Sequence, residues 1–203
     1  MSPPSAALRG TLFIFGAGFI GEHVAKQAAR CGYSVLGTTR RRSRVAELTQ
    51  LGVVQDPLLF RGDEPLPEDV VRSQLSTVTH VLSTVPPNLG DDPVLVHHAR
   101  TLESCMPSLR WVGHISTAAV YGTASEIDAK TVPRPSAVGE RLRMNIEREW
   151  AALSLPDRTA PVRIFRPTSV YGPWRGPQQL LREGRAVAIE KADFVASRVH
   201  VDD

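Results

Sequence analysis

The chain of 203 residues is poor in cysteine and in lysine, and it lacks any long apolar run. Its two cysteines, Cys31 and Cys105, exclude a disulfide framework and fit a reducing compartment. Each falls near the end of a helical pattern, where a buried thiol is expected. No stretch reaches the about 20 apolar residues of a membrane-spanning helix. Residues 1–8, rich in Pro, Ser and Ala, lack the basic start of a signal peptide. These absences lead to the expectation of a cytoplasmic protein with no membrane partner. Lysine occurs only as Lys26, Lys130 and Lys191, against 21 arginines. The formal net charge of +3 is too small to imply a nucleic-acid partner.

Residues 11–21 carry the strongest signal. An apolar run ends in Gly16-Ala17-Gly18-Phe19-Ile20-Gly21, and a helical pattern follows at once. This strand–turn–helix setting points to dinucleotide binding. Gly16 permits the tight turn, Gly18 leaves room for a pyrophosphate, and Gly21 lets the helix pack against the sheet. The free N–H groups at the helix start, around Phe19 and Ile20, then face the anion.

Strand-like and helical patterns alternate along the rest of the chain. Strands are expected at 11–15, 34–38, 52–56, 78–83, 110–116 and 162–165. Helices are expected at 20–30, 45–50, 67–74, 93–105 and 136–153. This alternation predicts an α/β fold, a Rossmann-type doubly wound parallel sheet with helices on both faces. The strands are almost continuously apolar, as expected where both faces are covered. Residues 1–10 read as a flexible start, 11–166 as the NAD(P)-binding domain and 167–203 as the beginning of a short substrate-binding region.

After the second strand comes Thr38-Thr39-Arg40-Arg41-Arg42. NAD-binding proteins usually place an acidic residue there for the ribose 2′-hydroxyl. Hydroxyls and guanidiniums instead suit a 2′-phosphate, so the expected cofactor is NADP, with NAD the alternative. Thr39 and Arg40 are the candidate contacts, Arg41 and Arg42 are reserves, and Arg44 is expected to point to water. Asp56 is the candidate for the adenine amino group, with a turn residue before Pro57 as the other reading. Ser83 and Thr84 are candidates to line the cofactor. No metal ligand is assigned.

Three later stretches join the glycine turn: His114-Ile115-Ser116-Thr117-Ala118-Ala119-Val120-Tyr121-Gly122, Arg166-Pro167-Thr168-Ser169-Val170-Tyr171-Gly172-Pro173, and Ser197–Asp203. Together they resemble the extended short-chain dehydrogenase/reductase superfamily, and within it the NAD-dependent epimerase/dehydratase family acting on nucleotide sugars. The resemblance implies that Thr117 hydrogen-bonds a substrate oxygen and that Arg166 borders the nicotinamide. It also implies a Tyr-x-x-x-Lys pair, which this chain lacks. Tyr33, Tyr121 and Tyr171 are followed at that spacing by Gly37, Ser125 and Arg175. With Glu147 taken as the family's helix glutamate, Gly139 falls at the tyrosine position and Arg143 at the lysine position. Arg143 can hold a ribose or phosphate but not serve as a base. Tyr121 and Glu140 are the candidate substitute acids.

The expected function is therefore an NADP(H)-binding epimerase/dehydratase or reductase with a nonstandard active site. The alternative is a catalytically inactive NADP(H)-binding sensor or scaffold. The expected partner is a small-molecule substrate, a nucleotide sugar among the options. An exposed apolar sheet edge would call for a second copy, making a homodimer.

Overall fold

The computed structural model describes residues 9–88, 90–124, 126–154, 160–188, 190 and 195–203. Six strands form a parallel sheet: β1 (Gly10–Phe15), β2 (Tyr33–Thr39), β3 (Gln55–Leu59), β4 (His80–Ser83), β5 (Trp111–Ile115) and β6 (Val162–Phe165). Their order is β3-β2-β1-β4-β5-β6, so the chain reverses direction across the sheet between β1 and β4. Ligands in such sheets bind beyond the carboxyl ends of the strands at this reversal.

Helices α1 (Phe19–Arg30), α2 (Arg42–Gln50), α3 (Glu68–Ser76), α4 (Pro93–Cys105) and α5 (Val138–Ala152) connect the strands. One core layer joins Phe13, Phe15 and Val81 of the sheet to Val71 and Leu75 of α3, Leu102 of α4, and Ile146 and Trp150 of α5. The other joins Leu12, Ile14, Val35 and Leu82 to Ala25 of α1 and Leu48 of α2. Beyond β6 a separate two-stranded parallel sheet pairs β7 (Ser169–Tyr171) with β8 (Arg198–His200), and α6 (Pro177–Arg182) lies between them in sequence.

Three expectations are corrected. The third strand starts three residues late. Pro57 reads as a strand stop, but β3 is an edge strand, where a proline without an N–H is tolerated. A register shift against β2 between Leu36 and Thr38, with Asp56 at φ 42°, absorbs the irregularity. Secondly, coverage of both faces fails at β6, where Arg163 and Phe165 are exposed on alternate positions. The α1–α2 layer does not extend over this end of the sheet. Thirdly, Cys31 is exposed and Cys105 only half-buried, because both follow the last apolar position of their helix.

Asp92 anchors the other layer. As the N-cap of α4 it accepts the Val94 N–H at 2.8 Å and the Leu95 N–H at 3.2 Å. Its second oxygen accepts the Trp150 indole N–H at 2.8 Å, which ties α5 to α4. Burial raises its pKa, while these bonds and the charge of Arg143 oppose the rise. His114 stacks on the same indole, with ring centroids 5.1 Å apart. Its Nδ1 lies 3.8 Å from Asp92, too long for a hydrogen bond, and both ring nitrogens lack partners among the described residues. Burial and the Arg143 charge lower its pKa to about 3, so the ring is neutral. His98, against Phe15 and Phe60, is lowered to about 4 by burial and by His97.

These two histidines make stability depend on pH. Unfolding returns each to its ordinary value near 6.5. Between pH 6.5 and 5 the unfolded chain therefore takes up protons that the folded chain refuses, and stability falls with pH. The slope approaches about 1.4 kcal/mol per pH unit for each fully titrating histidine. Urea unfolding from pH 7.5 to 5 should show this decline. His114→Phe, which keeps the stacked ring, should make it shallower. A flat profile would contradict the buried neutral state.

Candidate functional site

The glycine turn is held from both sides of β1. The Gly16 N–H donates to the Thr38 hydroxyl at 2.9 Å, and the Thr84 hydroxyl donates to the Gly16 carbonyl at 2.5 Å. The Ala17 N–H adds a bond to the Thr38 carbonyl at 2.6 Å. Gly16 itself has φ 89°, which favours glycine. A Cβ on Gly21 would stand 2.3 Å from the Gly16 carbonyl oxygen, so α1 abuts the turn with no space for a side chain. By contrast, a Cβ on Gly18 would meet nothing nearer than 4.0 Å. The open side of the turn therefore lies at Gly18, over the N–H groups of Phe19, Ile20 and Gly21 that the first turn of a helix leaves unpaired.

At the end of β2, Thr39 is buried and Arg40, Arg41 and Arg42 are exposed. Among the described residues none of these three guanidiniums has an ion-pair partner, and no carboxylate occupies the position. Arg44 corrects the expectation that it points to water. It is clamped between Glu22 of α1 and Glu47 of α2, and Glu22 also takes Lys26 at 2.6 Å. The pairing leaves Arg40–Arg42 as the free cations of this corner.

Asp56 is displaced from its expected role. It lies exposed at the amino end of β3, away from the edge where the glycine turn stands. The segment after the carboxyl end of β3 is Phe60-Arg61-Gly62-Asp63, with the Phe60 N–H donating to the Thr39 carbonyl at 2.9 Å. Asp63 is exposed there. Thr84 is also corrected: its hydroxyl is committed to Gly16, so it shapes the loop. Ser83 is fully buried and its hydroxyl has no partner among the described residues. Ser116, at the end of β5, has a buried unpaired hydroxyl as well. The open Gly18 beside the unpaired N–H groups of the helix start fits an anionic ligand at this edge, where Ser83 and Ser116 lie buried.

Thr117 begins a 3-10 turn, Ala118–Tyr121, and its hydroxyl accepts the Ala119 N–H at 3.2 Å. Its side chain is half-buried. Tyr121, at the other end of the turn, is buried, and its hydroxyl accepts from Arg166 at 3.0 Å. Arg166 in turn holds buried Glu147, with Nη2 at 2.7 Å and Nε at 3.1 Å from both oxygens. The Glu147 contact raises the Arg166 pKa, against the effect of burial. Arg166 thus ties β6, α5 and the Thr117 turn together rather than standing free beside a ligand.

Arg143 is half-buried, with Asp92, Glu147 and His114 in its electrostatic surroundings. Burial lowers its pKa, opposed by Asp92 and Glu147. Glu140 is committed to the start of α5, accepting the Ala137 N–H at 2.9 Å and the Ser136 N–H at 2.6 Å. These bonds lower its pKa, which suits a cap rather than an acid. A Cβ on Gly139 would meet nothing within 4 Å. Among the described residues no group of three or more His, Cys, Asp or Glu side chains is arranged to hold a metal ion. Nor is any helix there long and apolar enough to cross a membrane.

Residues 12–192 match the model of the NAD-dependent epimerase/dehydratase family. No curated protein matches the chain. Among solved structures, a conserved protein of unknown function from Silicibacter pomeroyi is similar at 34% identity, with a TM-score of 0.78. The match covers 95% of this chain and 64% of that one, so this chain spans less than two thirds of its length. UDP-glucuronic acid 4-epimerase from Bacillus cereus, in complex with UDP-glucuronic acid and NAD, is 17% identical with a TM-score of 0.67, over 95% of this chain and 69% of that one. MoeE5, in complex with UDP-glucose and NAD, is 22% identical with a TM-score of 0.66, over 95% and 68%. These two speak to the fold. The glycine turn, the sheet order and the family match together place the chain in the NAD-dependent epimerase/dehydratase family.

Proposed function

We propose that the chain binds a nicotinamide dinucleotide across the carboxyl ends of β1 and β4, prefers its 2′-phosphorylated form, and presents a small carbonyl substrate or nucleotide sugar to it. The observation that carries the reading is the pinned glycine turn, open at Gly18 and backed by the start of α1. Phe19, Ile20 and Gly21 would hold the diphosphate through backbone N–H groups. Thr39 and the unpaired Arg40 would hold the 2′-phosphate. Ser83 would face the middle of the cofactor, and Arg143 its ribose.

A bound nicotinamide would supply hydride-transfer chemistry. The chain's own residues then hold the substrate oxygen and move its proton. Thr117 donates its hydroxyl to that oxygen, a contact that strengthens as negative charge develops. Tyr121 is the proposed acid. Its oxygen already accepts from Arg166, which leaves its own proton to donate. Arg143 stays charged and supplies no base. A second reading has its own support. The open position at Gly139 and the arginine at 143 suit a protein that binds NADP(H) and transforms nothing.

Calorimetry should show binding of NADPH that is tighter than that of NADH. Arg40→Glu should erase or reverse the difference, since one charge-assisted phosphate contact is worth about tenfold or more in affinity. Gly18→Val should abolish binding of both while the protein stays folded. Equal wild-type affinities would contradict the preference, and tight binding by folded Gly18→Val would contradict the site.

Turnover separates the two readings. With sugar nucleotides and small carbonyls screened by NADPH oxidation, Thr117→Ala should lower the rate by about 10²-fold or more and leave cofactor affinity unchanged. Rapid turnover indifferent to Thr117 would overturn the placement of the reacting centre. Cofactor binding without turnover of any substrate would favour the silent binder.

A further inference from the structure

The loop after β7, in the two-stranded sheet beyond β6, reaches the glycine turn at Phe19. Phe19, the first residue of α1, packs under the loop that follows β7: a Cβ on Gly172 would stand 3.2 Å from its ring. In that loop Gly172 and Arg175 form an antiparallel bridge, with paired N–H···O bonds of 3.0 and 3.1 Å. Trp174 between them has φ 61°, a left-handed conformation that a bulky residue adopts only when the surrounding structure imposes it. Trp174 is 83% exposed, so burial of its ring does not account for the turn. The turn does place Arg175, whose guanidinium carbon lies 4.9 Å from the centroid of the Phe19 ring. Arg175 is exposed, and among the described residues no carboxylate pairs with it.

We propose that Arg175 is a diphosphate clamp, closing from the second sheet onto the cofactor held by the glycine turn. The proposal rests on the dinucleotide reading given above. Phe19 contributes one of the backbone N–H groups that open the anion site, so a cation on its ring is stationed beside that site. The nearby carboxylate on the same helix, Glu22, is already taken by Lys26 and Arg44 and does not compete for Arg175. His23, whose ring centroid lies 5.0 Å from that of Phe19, has its Nδ1 against the Phe19 carbonyl at 2.7 Å. A planar guanidinium with its fork unpaired suits two phosphate oxygens, whereas a lysine would offer a point charge only. The arrangement also gives the second sheet a role in retaining cofactor, independent of substrate.

The test compares the full chain with Arg175→Met, which keeps an apolar stem on the Phe19 ring and removes the charge. Three probes are titrated: NADPH, adenosine 2′-monophosphate, which carries no diphosphate, and UDP-glucose. The expected result is about a tenfold loss of NADPH affinity, with adenosine 2′-monophosphate and the thermal midpoint unchanged. Arg175→Lys should fall between the two. Unchanged NADPH affinity in Arg175→Met would overturn the clamp and leave the cofactor reading standing. Equal losses for NADPH and adenosine 2′-monophosphate would overturn it too, as a general change in field or fold. A loss confined to UDP-glucose would assign the anion to substrate and overturn the cofactor clamp. Failure of the wild type to bind NADPH would overturn both this proposal and the reading beneath it.

Discussion

Helix α1 lies so close to the glycine turn that a single added carbon at Gly21 would sit 2.3 Å from the Gly16 carbonyl oxygen. That approach leaves the turn one open side, and two threonines fix which side it is. Thr38 arrives from β2 and Thr84 from the end of β4, the two neighbours of β1 in the sheet. The strand order therefore does more than stack layers. It brings one hydroxyl to the Gly16 N–H and another to its carbonyl, and the helix start is aimed by that pair of bonds. A turn with the same glycines but without the flanking hydroxyls would be free to rotate its peptide planes.

The other half of the edge depends on buried charge. Glu147 and Arg166 join α5 to β6, and Arg166 reaches on to Tyr121, so the turn carrying Thr117 is tied to the longest helix. Asp92 does the same for α4 and α5 through Trp150. Removing Arg166 would leave the buried Glu147 charge without its partner, a loss that costs about 3–5 kcal/mol in buried ion pairs, though the intact pair contributes little net stability. Such pairs fix geometry. Here they fix where Thr117 and Arg143 stand relative to the ends of β4 and β5.

Much of this was legible in the sequence where a signal is local. Glycine spacing and the alternation of apolar runs with helical patterns pointed to the sheet, and α4 and β6 match the expected bounds residue for residue. What escaped is pairing between distant residues. Glu22 and Arg44 are 22 positions apart, and Asp92 and Trp150 are 58 apart. No periodicity reports such a pair, so Arg44 read as solvated and Asp92 was not singled out. Thr84 read as a ligand contact because its position at a strand end is the same whether its hydroxyl faces a cofactor or the Gly16 carbonyl. Pro57 misled because an edge strand and a strand end accept proline equally well. The strands β7 and β8 are three residues each and too short to show alternation.

The proposed dinucleotide site is the pinned turn between β1 and β4. Amide hydrogen exchange of the full chain, followed with and without NADPH, tests it most directly. NADPH should add protection at residues 16–21, at the Thr39–Arg40 corner and at the loop around Arg175, and leave the outer face of α5 unchanged. Protection confined to other parts of the chain, or none at saturating NADPH, would contradict it.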